Sequence, residues 1–318
     1  MSAELERLSV ASLFLSASTL SVNDFDGSPG LRKFSPNVES RIDAAILLLS
    51  KLEATIVYPF HTAYPASFYE LESPPLFLSC LGDIEALGAI ERLAVVGSRE
   101  LSTRCEQWLE THLTTLLRLR PHTVIISGGA RGADQAAHLA AVRAGRPTIV
   151  FLPSGLNQIF PSELRTWVKP ILRAGGLFVS VYAPDDQIRK FRFEARNRLI
   201  ASLAHFTFIA EASRRSGTMM TARLSIELGR ELCVLPSFPG DLVGQGNLDL
   251  LTMGAELIRD ADDLSMMMSR KSVPRTAKTE TGSDSEESVD NPHSDDRRQL
   301  PFVSGTFGDD VENVVGDD

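Results

Sequence analysis

The side chains best suited to chemistry sit in four polar turns, each preceded by an apolar run. Gly97-Ser98-Arg99 follows Leu93–Val96. Ser127-Gly128-Gly129-Ala130-Arg131-Gly132-Ala133-Asp134 follows Thr123–Ile126 and opens an alanine-rich stretch that carries His138. Asn157, Gln158 and Phe160-Pro161 follow Thr148–Leu152. The fourth group is Phe191-Arg192-Phe193 with Arg196-Asn197-Arg198, joined by Ser216-Gly217-Thr218 after another apolar run.

Glycines at a strand-to-helix handover let backbone N–H groups approach an anion closely, and the helix N-terminus adds a favourable dipole. Arginine supplies a planar fork that matches phosphate. Asn157 and Gln158 can hydrogen-bond a base or sugar, and Phe160 can stack on a base or pack on its own domain. Arginines interleaved with aromatics suit a single strand, whose backbone follows the charge while its bases stack on the rings. Arg99 reads equally as a solvated loop residue. Asp134 and His138 lie one turn apart and read as a structural pair. No nucleophile or metal cluster accompanies them. The glycine spacing is not G-x-G-x-x-G, so an ordinary dinucleotide fingerprint is not supported.

The elements that would position these turns alternate strictly. Strands are expected at Leu93–Val96, Thr123–Ile126, Thr148–Leu152, Leu177–Val181, Phe206–Ala210 and Leu232–Leu235, with helices at 103–118, 133–144, 162–173, 194–203 and 218–229. Near-continuous apolar strands between helices imply a parallel sheet covered on both faces, and ligands of such sheets sit at the carboxyl edge. The expected fold is α/β: an extended Rossmann-like, doubly wound, mainly parallel sheet over 91–265. A small helical module and connector precede it over 1–90, with helices at Leu5–Leu20 and Ile42–Leu52 and extended runs at 54–59 and 73–78. A disordered acidic tail is expected over 266–318.

The net charge of −9 is concentrated at the end: residues 271–318 hold 12 acidic and 5 basic side chains, leaving −2 on residues 1–270. The folded part can therefore still present a basic face. Cys80, Cys105 and Cys233 are too far apart for a metal motif, and their odd number gives no disulfide framework. The N-terminus does not read as a secretory signal, and no apolar run reaches the roughly 18 residues of a membrane span. A cytoplasmic protein without membrane contact or cofactor is expected.

Taken together, these stretches resemble the DNA-processing protein A family (DprA/Smf). The matching pieces are Val96-Gly97-Ser98-Arg99, Ser127 to Asp134 with Ala137-His138, Phe160-Pro161, and Phe193 through Arg196-Asn197-Arg198 to Leu203. Glu211-Ala212, Ser216-Gly217-Thr218, Gly229-Arg230, Gly246-Asn247 and Gly254-Ala255 complete the series. It spans residues 91–260, and Tyr64-Pro65 and Pro74-Pro75-Leu76 look like the family's preceding segment. The resemblance implies single-stranded DNA as ligand, delivery of that strand to a RecA-type recombinase, a homodimer, and binding without catalysis. By position, Arg99 and Arg131 look like phosphate contacts, with Phe160 and Arg196-Asn197-Arg198 beside the groove.

Departures are Ser102-Thr103-Arg104-Cys105 in place of a tyrosine-glycine, Ser180-Val181-Tyr182 in place of a Ser-Glu pair, and Phe193-Glu194 in place of Phe-Pro. An acidic tail stands where the family's winged-helix module is usual. The rival readings are a nucleotide phosphoribohydrolase of the lysine-decarboxylase-like type and a nucleotide-sensing module. The former's Pro-Gly-Gly-x-Gly-Thr motif survives here only as Gly217-Thr218, without the glutamate pair.

Overall fold

A computed structural model describes residues 2–15, 19–25 and 34–272. The chain opens with α1 (Ser2–Ser12) and α2 (Pro36–Lys51), then β1 (Thr55–Val57) and β2 (Leu78–Gly82). The alternating part follows: β3 (Glu91–Val96), α3 (Thr103–Trp108), α4 (Thr114–Leu119), β4 (Thr123–Ser127), α5 (Ala133–Arg143), β5 (Thr148–Phe151), α6 (Val168–Arg173) and β6 (Leu177–Ser180). It closes with α7 (Lys190–Leu203), β7 (Phe206–Ile209), α8 (Gly217–Glu227), β8 (Glu231–Val234), α9 (Gln245–Thr252), β9 (Glu256–Leu257) and α10 (Ala261–Ser272).

The sheet order is β1-β2-β6-β5-β4-β3-β7-β8-β9. All pairings from β6 to β9 are parallel, while β1 and β2 pair antiparallel with each other and β2 with β6. The sequence thus foretells a mainly parallel doubly wound sheet, and the structure has one. The chain builds outward from β3 to β6, then returns to place β7 on the other side of β3. That reversal opens a crevice at the carboxyl edge. Pairing of Val96 with Ile209 brings the two strand ends level, and Ser98 N–H donates to the Glu211 carbonyl at 2.7 Å across the gap.

Alternate strand residues feed two cores. Leu93, Val95, Ile125 and Phe208 pack with Leu109, Leu116, Ala137 and Leu264. Ala94, Val96, Ile126 and Ile209 face Ile200, Leu203 and Ala222. Ile42 and Leu49 join Val150, Leu152 and Phe178 in a third cluster. Fully burying one such side chain stabilises by about 1.5–3 kcal/mol.

Local chemistry moves several expected boundaries. The helix expected over 103–118 is interrupted by a π turn at Leu109–Leu113. There the Thr114 and Thr115 hydroxyls donate back to the Glu110 and Thr111 carbonyls at 2.7 and 2.9 Å. Residues 162–173 divide into a 3₁₀ segment, Ser162–Trp167, and α6. The extended run expected at 73–78 becomes a strand only from Leu78, because Pro74 and Pro75 cannot donate to a ladder. Two strands before residue 91, β1 and β2, belong to the shared sheet. Helix α10 carries the fold past residue 265. The tail expected beyond it lies outside the described residues.

Candidate functional site

The crevice between β3 and β7 holds a cleft of about 280 Å³. It is lined by Gly97, Ser98 and Arg99 after β3, Ala130 and Asp134 at the start of α5, Phe193, Arg196 and Asn197 on α7, and Ser213, Ser216, Gly217, Thr218 and Thr221 around α8. Three of the four turns singled out in the sequence therefore converge here.

Arg196 is buried, at 5% exposed. Its guanidinium lies on Gly128, where a built Cβ would come within 0.9 Å of Nη1. Only a residue without a side chain admits that approach. Asp134 holds the arrangement from the other side. Its Oδ2 accepts the Gly128 and Ala130 N–H groups, both at 3.2 Å, and lies 3.7 Å from Arg196 Nη1. Burial pushes the Asp134 carboxyl up and the Arg196 guanidinium down, and each one's charge opposes the other's shift. Arg196 Nε and Nη1 are buried and make no hydrogen bond. Such donors cost free energy until an acceptor reaches them.

Arg99 has no acidic partner among the described residues. Its guanidinium lies 5.7 Å from the Phe193 ring centre, and that of Arg196 lies 5.9 Å from it. Phe160 meets Phe193 edge-on at 6.1 Å, so the two rings form one wall. On the opposite side Ser216 caps α8, accepting from Met219 N–H at 3.4 Å and donating to the Ser213 carbonyl at 2.8 Å. The Gly217 and Thr218 amides of the first turn remain for a ligand. Two cations, one aromatic wall and a helix N-terminus face a single small volume. The one acid lining it, Asp134, is already engaged. Such an arrangement is chemically suited to an anion attached to something planar.

The other expected residues fall elsewhere. Arg131 does not line the cleft. It is largely exposed and donates to Glu163 through Nε at 3.2 Å, because Gly132, at φ 76°, turns the chain between it and α5. Asn157 donates to Asp185 at 2.6 Å on the exterior. Arg198 faces away with Glu194, at 3.4 Å, because positions 196 and 198 point to different sides of α7. Ser127 is buried, its hydroxyl donating to the Val95 carbonyl at 2.7 Å. Gly129 is part of the loop behind the cleft, packed on Leu164.

The pairing expected between Asp134 and His138 does not form. His138 Nδ1 lies 2.8 Å from the Thr148 hydroxyl, which itself donates to the Ile125 carbonyl. Nδ1–H is therefore the donor, and burial holds the ring neutral, its pKa lowered to about 3. Phe193 was singled out in the sequence among the aromatics interleaved with arginines, but α7 was expected to begin only at 194. Beginning instead at Lys190, it places that ring in the first turn.

A doubly wound α/β protein with an anion-ready crevice at its topological switch point is the class that this fold and site define. Within that class the chain belongs to the DNA recombination-mediator protein A family, whose model matches residues 55–269. It is 33% identical over 201 residues to the DNA processing protein DprA of Streptococcus pneumoniae, covering 63% of this chain and 70% of that one. It is 34% identical over 201 residues to the protein Smf of Escherichia coli, covering 63% of this chain and 53% of that one.

Among solved structures, DprA from Streptococcus pneumoniae superposes with a TM-score of 0.63 at 28% identity, over 82% of this chain and 92% of the other. DNA processing protein A from Helicobacter pylori, described for its single-stranded DNA binding mode, superposes with a TM-score of 0.61 at 29% identity, over 69% and 96%.

Proposed function

We propose that this protein binds single-stranded DNA, seating a backbone phosphate between Arg99, Arg196 and the first turn of α8, with neighbouring bases against Phe193 and Phe160. One observation carries the reading: two arginines with unclaimed donors share a cleft with a helix N-terminus. The Helicobacter pylori relative supports a strand rather than a free phosphate as ligand. The stacking wall supports single strands over duplex, whose bases are already stacked.

Phosphate contacts make the affinity fall with salt, and ring stacking makes it tolerant of sequence. The protein acts by holding the strand and does no covalent chemistry on it. Family membership supports delivery of the strand to a RecA-type recombinase, self-association as a homodimer, and a cytoplasmic site of action. Among the described residues no helix is long and apolar enough to cross a membrane.

Titrating labelled single- and double-stranded oligonucleotides of one sequence across salt concentrations tests this. Tighter binding of the single strand, weakening steadily as salt rises, is expected. Equal affinity for the two forms would remove the reading.

A further inference from the structure

A second cavity, of about 180 Å³, opens on the α3 side of the same sheet edge. The strand-binding cleft shares no lining residue with it. Cys105, Glu211 and Asn247 belong to its inner wall, and Arg104, Trp108 and Phe238 to its mouth.

Several of its polar groups are engaged. Asn247 accepts the Ala212 N–H at 2.8 Å and donates to the Ala210 and Leu235 carbonyls at 3.0 and 2.9 Å. The fork of Arg259, also in the lining, is held by both oxygens of Asp263, at 2.6 and 2.7 Å. Trp108 Nε1 donates to the Arg259 carbonyl at 2.7 Å, and its ring stacks on Phe208 at 5.1 Å.

On the inner wall, Glu211 keeps a free acceptor. It is 8% exposed, and Oε2 accepts the Ser102 N–H at 2.8 Å. Oε1 has no hydrogen-bond partner among the described residues. Glu211 lines the cavity, so this oxygen is an accessible carboxylate acceptor that an N–H donor of a ligand can reach. At the mouth Phe238 is 70% exposed, and Leu242 of the same loop is 80% exposed. An aromatic ring held open to water beside a cavity is a stacking surface awaiting a partner.

We propose that this cavity binds a guanine base, its N–H edge on Glu211 Oε1 and its face on Phe238. The acceptor selects the base. Guanine presents two adjacent donors, N1–H and the 2-amino group, to a carboxylate. Thymine presents a single N–H flanked by two carbonyl oxygens, which a carboxylate repels. The cavity is smaller than a pocket for a whole drug-sized ligand, so it takes the base and leaves the sugar outside. Sugar and phosphate would emerge beside Arg104, which is 86% exposed and 3.9 Å from Asp241. The base can come from a guanine in a bound strand or from a free guanine nucleotide. Only the first source rests on the strand-binding reading.

Nucleosides carry no phosphate and so leave the first cleft out of the test. Calorimetric titration of the full chain with 2′-deoxyguanosine and with thymidine should show deoxyguanosine binding at least about tenfold tighter. Glu211→Gln, which turns the free acceptor into an amide, should abolish that preference. Phe238→Ala, a surface change that spares the fold, should weaken deoxyguanosine by about tenfold, the loss expected for one stacked base. Equal binding of the two nucleosides by the wild type overturns the proposal. So does a preference that survives Glu211→Gln, or, should that variant not fold, unchanged deoxyguanosine affinity in Phe238→Ala. An all-thymidine oligonucleotide, compared with the same strand bearing one deoxyguanosine, separates the sources. Tighter binding of the second strand assigns the base to bound DNA, and equal binding assigns the pocket to the free nucleotide.

Discussion

At the scale of single residues, the site depends on an arginine lodged where a side chain would otherwise be. A methyl group at Gly128 would occupy the position of Arg196 Nη1. Gly128→Ala should therefore displace the guanidinium and weaken single-strand binding about tenfold or more, the cost of a lost charge-assisted contact of roughly 1.5–3 kcal/mol. Anisotropy titration reads this directly. Asp134→Ala leaves Arg196 buried without its counter-charge and should lower the unfolding free energy by about 3–5 kcal/mol in urea. Arg131→Ala makes the opposite point. That side chain is exposed and bound to Glu163, so both affinity and stability should stay within about 0.5 kcal/mol of wild type.

At the scale of elements, the cleft is made by the handover from strand to helix at three places. Gly132 fixes one of them. Its φ is 76°, and a Cβ there would stand 2.3 Å from the Ser98 carbonyl oxygen, so Gly132→Ala should push the β3 turn away from α5. A cost of about 1–3 kcal/mol is expected, combining backbone strain with a collision, and a lowered thermal midpoint would record it. These handovers were legible in the sequence because apolar runs such as Thr123–Ile126 end abruptly in glycine and serine. The parallel sheet was legible for the same reason, its strands being apolar on both faces. The start of α7 was not legible, because Arg189 caps it without a side-chain hydrogen bond and leaves no cap signature. The role of Asp134 was hidden as well: its partner Arg196 is far away in sequence, and local spacing pointed to His138 instead. Arg198 shows the limit of reading a motif as a block, since two arginines separated by one residue on a helix cannot both face one cleft.

At the scale of the whole molecule, stability and binding should respond differently to solution conditions. His138 is neutral in the fold, its pKa lowered to about 3, whereas an unfolded histidine titrates near 6.5. Its contribution is complete above about pH 6.5 and is lost as pH falls toward 3. The loss is at most about 1.4 kcal/mol per pH unit. His205 acts in the same direction: burial and Arg92, which donates to its Nε2 at 2.7 Å, lower its pKa to about 4. Urea titrations from pH 7 to 4 should show the decline, and His138→Gln should flatten it. Binding should instead follow salt through the phosphates.

The most direct test is therefore the salt dependence of single-strand affinity for wild type and Arg99→Ala. Removing one phosphate contact should weaken binding and reduce the slope of log affinity against log salt by about 0.7. An Arg99→Ala protein with wild-type affinity and an unchanged slope would show that no backbone phosphate sits in this cleft.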